Sequence, residues 1–290
     1  MVRLKFSVAL QYDVLQDGTD FIFSIQAART PHQRVSAESL AISQNILTQS
    51  WLDAETGTRH LRLQAKAGPL RIAHEATVDI THHLRAPASV AEVPVASIPW
   101  HVLPYLYPSR YCESDRLHGF AVQQFGGLWQ GYGRVMAIRD WVNAQVRFQS
   151  NTSNSNTSAT ETLANGLGVC RDFAHLMIAL CRAVNIPARF VTGFDYGADP
   201  ALGPPDFHAY VEAYLGDRWY LFDPSGTAIP MGFVRLATGR DAADAAFATI
   251  FGAVRSMAPL VHIEAIRNEA GVVVIPHHTS DAISSATAIG

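Results

Sequence analysis

The run GVCRDFAHLMIALCRAVNIP, residues 168–187, constrains this chain more tightly than any other. It predicts one long helix, with Asn185 and Pro187 as stop signals. Apolar side chains cover nearly every face of that helix, so it must be buried rather than laid along a surface. A chain of 290 residues, 48% hydrophobic and 16% charged, has the material to bury it. That composition is far from a disordered protein's, and the length suits one large domain or two of ordinary size.

The neighbours of the helix read as a mixed fold. Val135, Ile138, Val142 and Val146 recur at helical spacing beside Trp141 and predict an amphipathic helix. NTSNSNTSAT, residues 151–160, is a polar loop, and its Asn151 and Asn156 sequons read as loop chemistry. Ser158 and Glu161 fit a capping box for a short helix. Three strands follow the long helix, at 188–196, 207–215 and 218–223, with Gly216-Asp217 as a tight turn between the last two.

The first hundred residues have a different texture. Leu4–Leu10, Phe21–Ile25, Leu61–Ala67 and Leu70–Ile80 alternate with period two. Asp17-Gly18, Gly57 and Gly68-Pro69 punctuate them, a pattern of short strands that suggests a sandwich. Pro87, Pro94, Pro99, Pro104 and Pro108 predict an extended linker, because proline fixes φ and removes a backbone donor. The expected division is a β-sandwich domain with its linker over 1–100, a second domain over 101–276 and a mobile tail over 277–290. A terminal strand pair is expected at 260–267 and 272–275.

Lys and Arg number 22 against 25 Asp and Glu, a net charge of −3. A nucleic-acid binder is not expected from that balance. No apolar run approaches the roughly 18 residues of a membrane span. The stretch Phe6–Leu10, followed at once by Gln11 and Asp13, is too short and polar for a signal peptide, so a cytoplasmic location is the expectation.

The three cysteines, Cys112, Cys170 and Cys181, make neither a disulfide framework nor a structural zinc site. The pairs His82-His83 and His277-His278 would point to opposite faces of a strand. No calcium loop is present, and neither metal nor cofactor is expected.

Cys170 falls in the first turn of the long helix, just after Gly168. Free N–H groups and the positive end of the helix dipole favour a thiolate there. Gly168 would allow close approach of a substrate or an unusual backbone angle. If Leu215 opposes Arg218 around the turn, Asp223 opposes Tyr210, and His208 is its diagonal neighbour on the same face. Cys170, His208 and Asp223 are then a nucleophile, a base and an orienter. Asp172 is expected to complement the helix dipole, Arg171 to face solvent and His175 to be structural. Tyr210 and Trp219 share the hairpin face with His208. Tyr105, Tyr107, Tyr111 and Cys112 could border a cleft.

GVCRDFAHLMIALCRAVNIPARFVTGF and DFHAYVEAYLGDRWYLFDPSG closely resemble the bacterial transglutaminase-like superfamily. The resemblance extends through YCESDRL and AIRDWVNAQVRF upstream and VRLATGRDAADAAFATIFG downstream. The β-rich N-terminus is similar to the family's N-terminal domain. It implies an α+β fold, a β-sandwich ahead of a papain-like core whose Cys helix packs on an antiparallel sheet. It also implies a catalytic set of Cys170, His208 and Asp223, acting on a peptide, protein or other amide substrate through an acyl-enzyme thioester. Animal transglutaminases carry Gly-Gln-Cys-Trp where this chain has Gly-Val-Cys-Arg, and the flanks match the microbial branch, which includes hydrolases. Hydrolysis is therefore the expectation. Acyl transfer from glutamine side chains to amines and a non-catalytic peptide-binding module are the alternatives. Arylamine N-acetyltransferases use the same three residue types, but the flanking sequences speak against them.

Overall fold

The structure, a computed structural model, describes residues 1–197 and 206–286. Strands β1 (Val2–Val14), β2 (Thr19–Phe23), β3 (Gln33–Ile42), β4 (Thr48–Leu52), β5 (Arg59–Ala65), β6 (Gly68–Ile80) and β7 (His83–Arg85) come first. Helices α1 (Ser114–Phe125) and α2 (Tyr132–Gln145), strand β8 (Arg147–Phe148), helix α3 (Ala159–Asn165), strand β9 (Leu167–Gly168) and helix α4 (Cys170–Ala183) follow. Strands β10 (Ala188–Asp195), β11 (His208–Leu215), β12 (Arg218–Phe222), β13 (Phe233–Gly239), β14 (Ala248–Phe251), β15 (Val254–Ser256), β16 (Leu260–Ala265) and β17 (Ala282–Ser284) complete the order. None of the described helices is long and apolar enough to cross a membrane.

Period-two patterning builds the sandwich. Val2, Leu4, Phe6 and Val8 of β1 are buried, while Arg3, Lys5 and Ser7 between them are half-buried. They face Phe21, Phe23, Leu61 and Leu63 of the second sheet across a shared core. The first sheet runs β15-β1-β6-β3, with β16 also on β1, and the second runs β14-β2-β5-β4.

The two sheets draw strands from both ends of the chain, so the expected cut near residue 100 does not contain the sandwich. The expected terminal hairpin is replaced: β16 pairs with β1, from Leu4↔Ala265 to Ala9↔Leu260. Residues 272–275 contribute a single bridge, Arg267↔Val273. A long alternating strand with a free edge offers β16 more hydrogen bonds than a short hairpin partner does. The expected loose tail also needs correction. Ala282 and Ile283 are buried and β17 pairs with β7, while residues 287–290 lie outside the described residues.

The proline-rich stretch is not extended either. It forms 3-10 turns at Pro87–Ser89, Val95–Ser97 and Leu103–Leu106. Ile98, Val102 and Tyr105 from it pack on Tyr214 and Trp219. Proline's fixed φ suits the first position of such turns, and the apolar residues between prolines supply the adhesion.

The third large sheet, β12-β11-β10-β13, is a wall shared by two cores. Ala209, Val211, Ala213 and Leu215 of β11 pack with α4, and Tyr210 packs with the sandwich. Burial on both faces is why β11 is buried throughout. α4 is covered by this wall on one side and by α1, α2 and α3 on the others, as its all-round apolar surface demands.

Candidate active site

The start of α4 is built by local contacts. β8 and β9 pair in parallel immediately before it. Asp172 is buried, its Oδ2 accepting the Val169 N–H at 2.9 Å and its Oδ1 accepting Arg171 Nη2 at 3.0 Å. Gly168 exists for this contact: a Cβ there would lie 2.7 Å from Cβ of Asp172. Arg171 is not a solvent-facing residue; it also donates to Asn154 O at 2.8 Å and ties down the polar loop. Cys170, the first residue of α4, is partly exposed, and its Sγ lies 4.0 Å from the Phe207 carbonyl oxygen. The first N–H groups of a helix have no acceptor one turn back. Here the Asp172 N–H donates to the Val169 carbonyl at 2.8 Å, which leaves those of Cys170 and Arg171 at the helix start.

His208 and Asp223 come from the hairpin. The register runs from Val211↔Phe222 to Leu215↔Arg218, as the Gly216-Asp217 turn predicts, with Gly216 at φ +59°. His208 opens β11 and Asp223 follows β12, which puts His208 Nε2 3.4 Å from Asp223 Oδ1. Nδ1 is the ring nitrogen left for the thiol. Asp223 is itself held: Oδ1 accepts the Ser225 Oγ–H at 2.6 Å and its N–H at 3.0 Å, and Oδ2 accepts the Ala228 N–H at 3.0 Å. Sequence reasoning missed Ser225 and Ala228, although Asp-Pro-Ser is a readable turn signal.

Burial disfavours a charged imidazole, but the Asp223 carboxylate and the nearby Cys170 thiol outweigh it and hold His208 well above its ordinary value. Burial would raise Asp223, but the His208 charge and the hydrogen bonds from His208, Ser225 and Ala228 lower it. The pair therefore favours imidazolium beside carboxylate. By contrast, burial pushes the thiols of Cys112 and Cys181 up to about 12. Cys112 does not border the cleft.

The thiol opens into a cleft of about 570 Å³. Tyr111, Arg171, Phe207 and His208 line it, opposite an alanine-rich wall within residues 242–250. His175 positions that wall. Its Nε2 accepts the Ala242 N–H at 3.1 Å, and its ring stacks on Tyr111 at 4.9 Å. Tyr210 is buried against the His208 ring, and Trp219 packs with Tyr105 further along the hairpin. The wall carried no chemical signal in the sequence, because alanines bring only their lack of bulk.

The chain matches known proteins in sequence and fold. Residues 119–224 match the core of the transglutaminase-like superfamily, and residues 2–101 match the bacterial transglutaminase N-terminal domain. The chain belongs to the transglutaminase-like superfamily. A solved structure of a candidate cysteine protease from Cytophaga hutchinsonii is 37% identical, covers 98% of this chain and 97% of its own, and superposes with a TM-score of 0.90. The uncharacterized protein ML0607 of Mycobacterium leprae is 30% identical over 39% of this chain and 42% of its own length. The uncharacterized protein Rv2569c of Mycobacterium tuberculosis is 29% identical over 38% of this chain and 40% of its own. The chain thus spans about two fifths of the curated relatives it matches.

Proposed function

We propose that this protein hydrolyses peptide or other amide bonds through a Cys170 thioester, with His208 as acid and base and Asp223 as its orienter. One observation carries the reading: a partly exposed thiol at a helix start shares a cleft with a buried imidazole clamped by a carboxylate. The Cys170 thiolate adds to the amide carbonyl, and imidazolium His208 gives its proton to the departing amine. In this reading the Cys170 backbone N–H is one donor to the oxyanion. Neutral His208 then takes a proton from water as the water attacks the thioester, which releases the acid and restores the thiol. The partial exposure of Cys170 favours water as acceptor, because a transferase has to keep water from its thioester.

The test follows alkylation of all three cysteines by iodoacetamide over pH 4–9, in the wild type and in His208→Ala. A peptide pool is then incubated with the enzyme and a fluorescent primary amine. The expected result is fast, His208-dependent labelling of Cys170 at low pH, and Cys170-dependent cleavage without amine incorporation. Amine adducts on glutamine would replace hydrolysis by acyl transfer. A Cys170 that titrates like a free thiol, near 8.5, would remove the catalytic reading and leave a binding module.

A further inference from the structure

The alanine-rich wall of the thiol cleft borders a second cavity. Ala243, Ala246 and Thr249 line the cleft, and the same three residues line this second cavity, of about 600 Å³. Side chains this short leave a low pass between the two. The second cavity lies on the outer face of the β14-β2-β5-β4 sheet, whose inner face is buried in the sandwich.

That outer face is built unlike a plain solvated surface. Trp51 is 62% exposed, yet its ring stacks on His60 at 5.2 Å and 17°. Ser24 Oγ lies 3.0 Å from His60 Nδ1 and fixes the imidazole from beneath. Of the two charged side chains facing the cavity, Asp244 is paired with Arg240, while Arg62 is hydrogen-bonded to the neutral amide of Gln49 and keeps its charge. The face therefore offers a braced aromatic platform beside one cationic side chain, which suits a planar aromatic group. β4, which carries Trp51, is the edge of its sheet and exposed at all five residues. An edge strand offers backbone donors and acceptors to an extended polypeptide.

We propose that this face is a substrate subsite for an extended polypeptide, with an aromatic side chain seated on Trp51 while the chain crosses the Ala243–Thr249 pass to present its amide at Cys170. The proposal rests on the thiol reading above and adds the substrate class and the role of the N-terminal domain.

Iodoacetyl-capped peptides test it without any known substrate. The Cys170 thiolate displaces iodide and forms a thioether, so the labelling rate reports binding. Spacers of one to eight Gly/Ser residues end in Phe or in Ser. At some length the Phe peptide is expected to label Cys170 about tenfold faster than its Ser counterpart. Trp51→Ala should remove that gain and Trp51→Phe should keep most of it, with the plain iodoacetamide rate unchanged in both. Ala243→Phe, at an exposed position, should slow long peptides several-fold more than short ones. The subsite is overturned if Phe gives no advantage at any length, if Trp51→Ala keeps the advantage, or if a glycosylated cap gains where Phe does not. Slow, unselective labelling by iodoacetamide itself would instead sink the thiol reading, and the subsite with it.

Discussion

Strand β11 carries two buried charged clusters on one face, four residues apart, and they have opposite characters. At Glu212 the carboxylate is saturated. It accepts Arg189 Nε at 2.7 Å and Arg235 Nη1 at 3.1 Å, with Arg235 Nη2 closing the bidentate pair. At His208 the ring has its carboxylate on one side, and the other side faces a thiol and an open cleft. Both clusters are desolvated, but only His208 has an unspent valence where a ligand can reach it. Burial and pairing alone therefore do not mark a reactive site; an incomplete set of partners beside a cavity does.

The largest effect on this comparison comes from breaking the saturated cluster. Glu212→Gln leaves two guanidinium groups facing a neutral amide. Removing one member of a buried ion pair costs about 3–5 kcal/mol. Urea unfolding should show that loss, while Cys170 alkylation in the protein that remains folded keeps its wild-type rate. A variant with full stability and slow alkylation would mean that Glu212 belongs to the site after all.

A smaller effect is expected at the pair proposed to be catalytic. Asp223→Asn keeps the shape and the Oδ1 acceptor but removes the charge that favours imidazolium. Amide turnover should fall about 10²-fold, the low end for general acid–base groups. The unfolding midpoint should move less than for Glu212→Gln, because neutral His208 relieves the lost charge and Ser225 can still donate to Oδ1, although the Ala228 N–H loses its Oδ2 acceptor. Equal stability losses in the two variants would erase the distinction between the clusters.

How much of this was legible in the sequence follows the range of the interactions. α4 was readable because its apolar coverage is continuous within one segment. The β11–β12 register was readable because a Gly-Asp turn fixes every pair back to Val211↔Phe222, and His208 and Asp223 follow from it. β4 was not, since all five of its residues are exposed and no period survives. β16 was recognised as a strand but assigned the wrong partner, because its mate, β1, lies at the other end of the chain. Glu212, Arg189 and Arg235 gave no signal, since each is an ordinary charged residue until β10 and β13 bring the guanidinium groups to β11. The family resemblance supplied the thiol chemistry, while the alanine-rich wall and the Trp51 face emerged only from packing.

The smallest effect separates the clusters by pH. His208 is raised in the folded protein, so its contribution is fully present below its unfolded value, near 6.5, and is lost as pH rises through the higher folded value. Asp223 and Glu212 are lowered, so theirs are present above ordinary carboxylate values and lost as pH falls through the folded ones. The arginines around Glu212 do not deprotonate in the accessible range. Buried Cys112 and Cys181 add an alkaline loss of their own once unfolded thiols ionise, near 8.5. A decline in stability between neutrality and about pH 8 should therefore come from His208 and not from the Glu212 cluster. Thermal unfolding across that range should show a loss of about 1 kcal/mol, or about 2 °C for a chain of this size. His208→Gln should flatten this limb and leave the acid limb, which Glu212 still supports. If the alkaline limb survives in His208→Gln, the imidazolium–carboxylate pair is not what the folded protein gains at neutral pH, and the contrast along β11 fails at its reactive end.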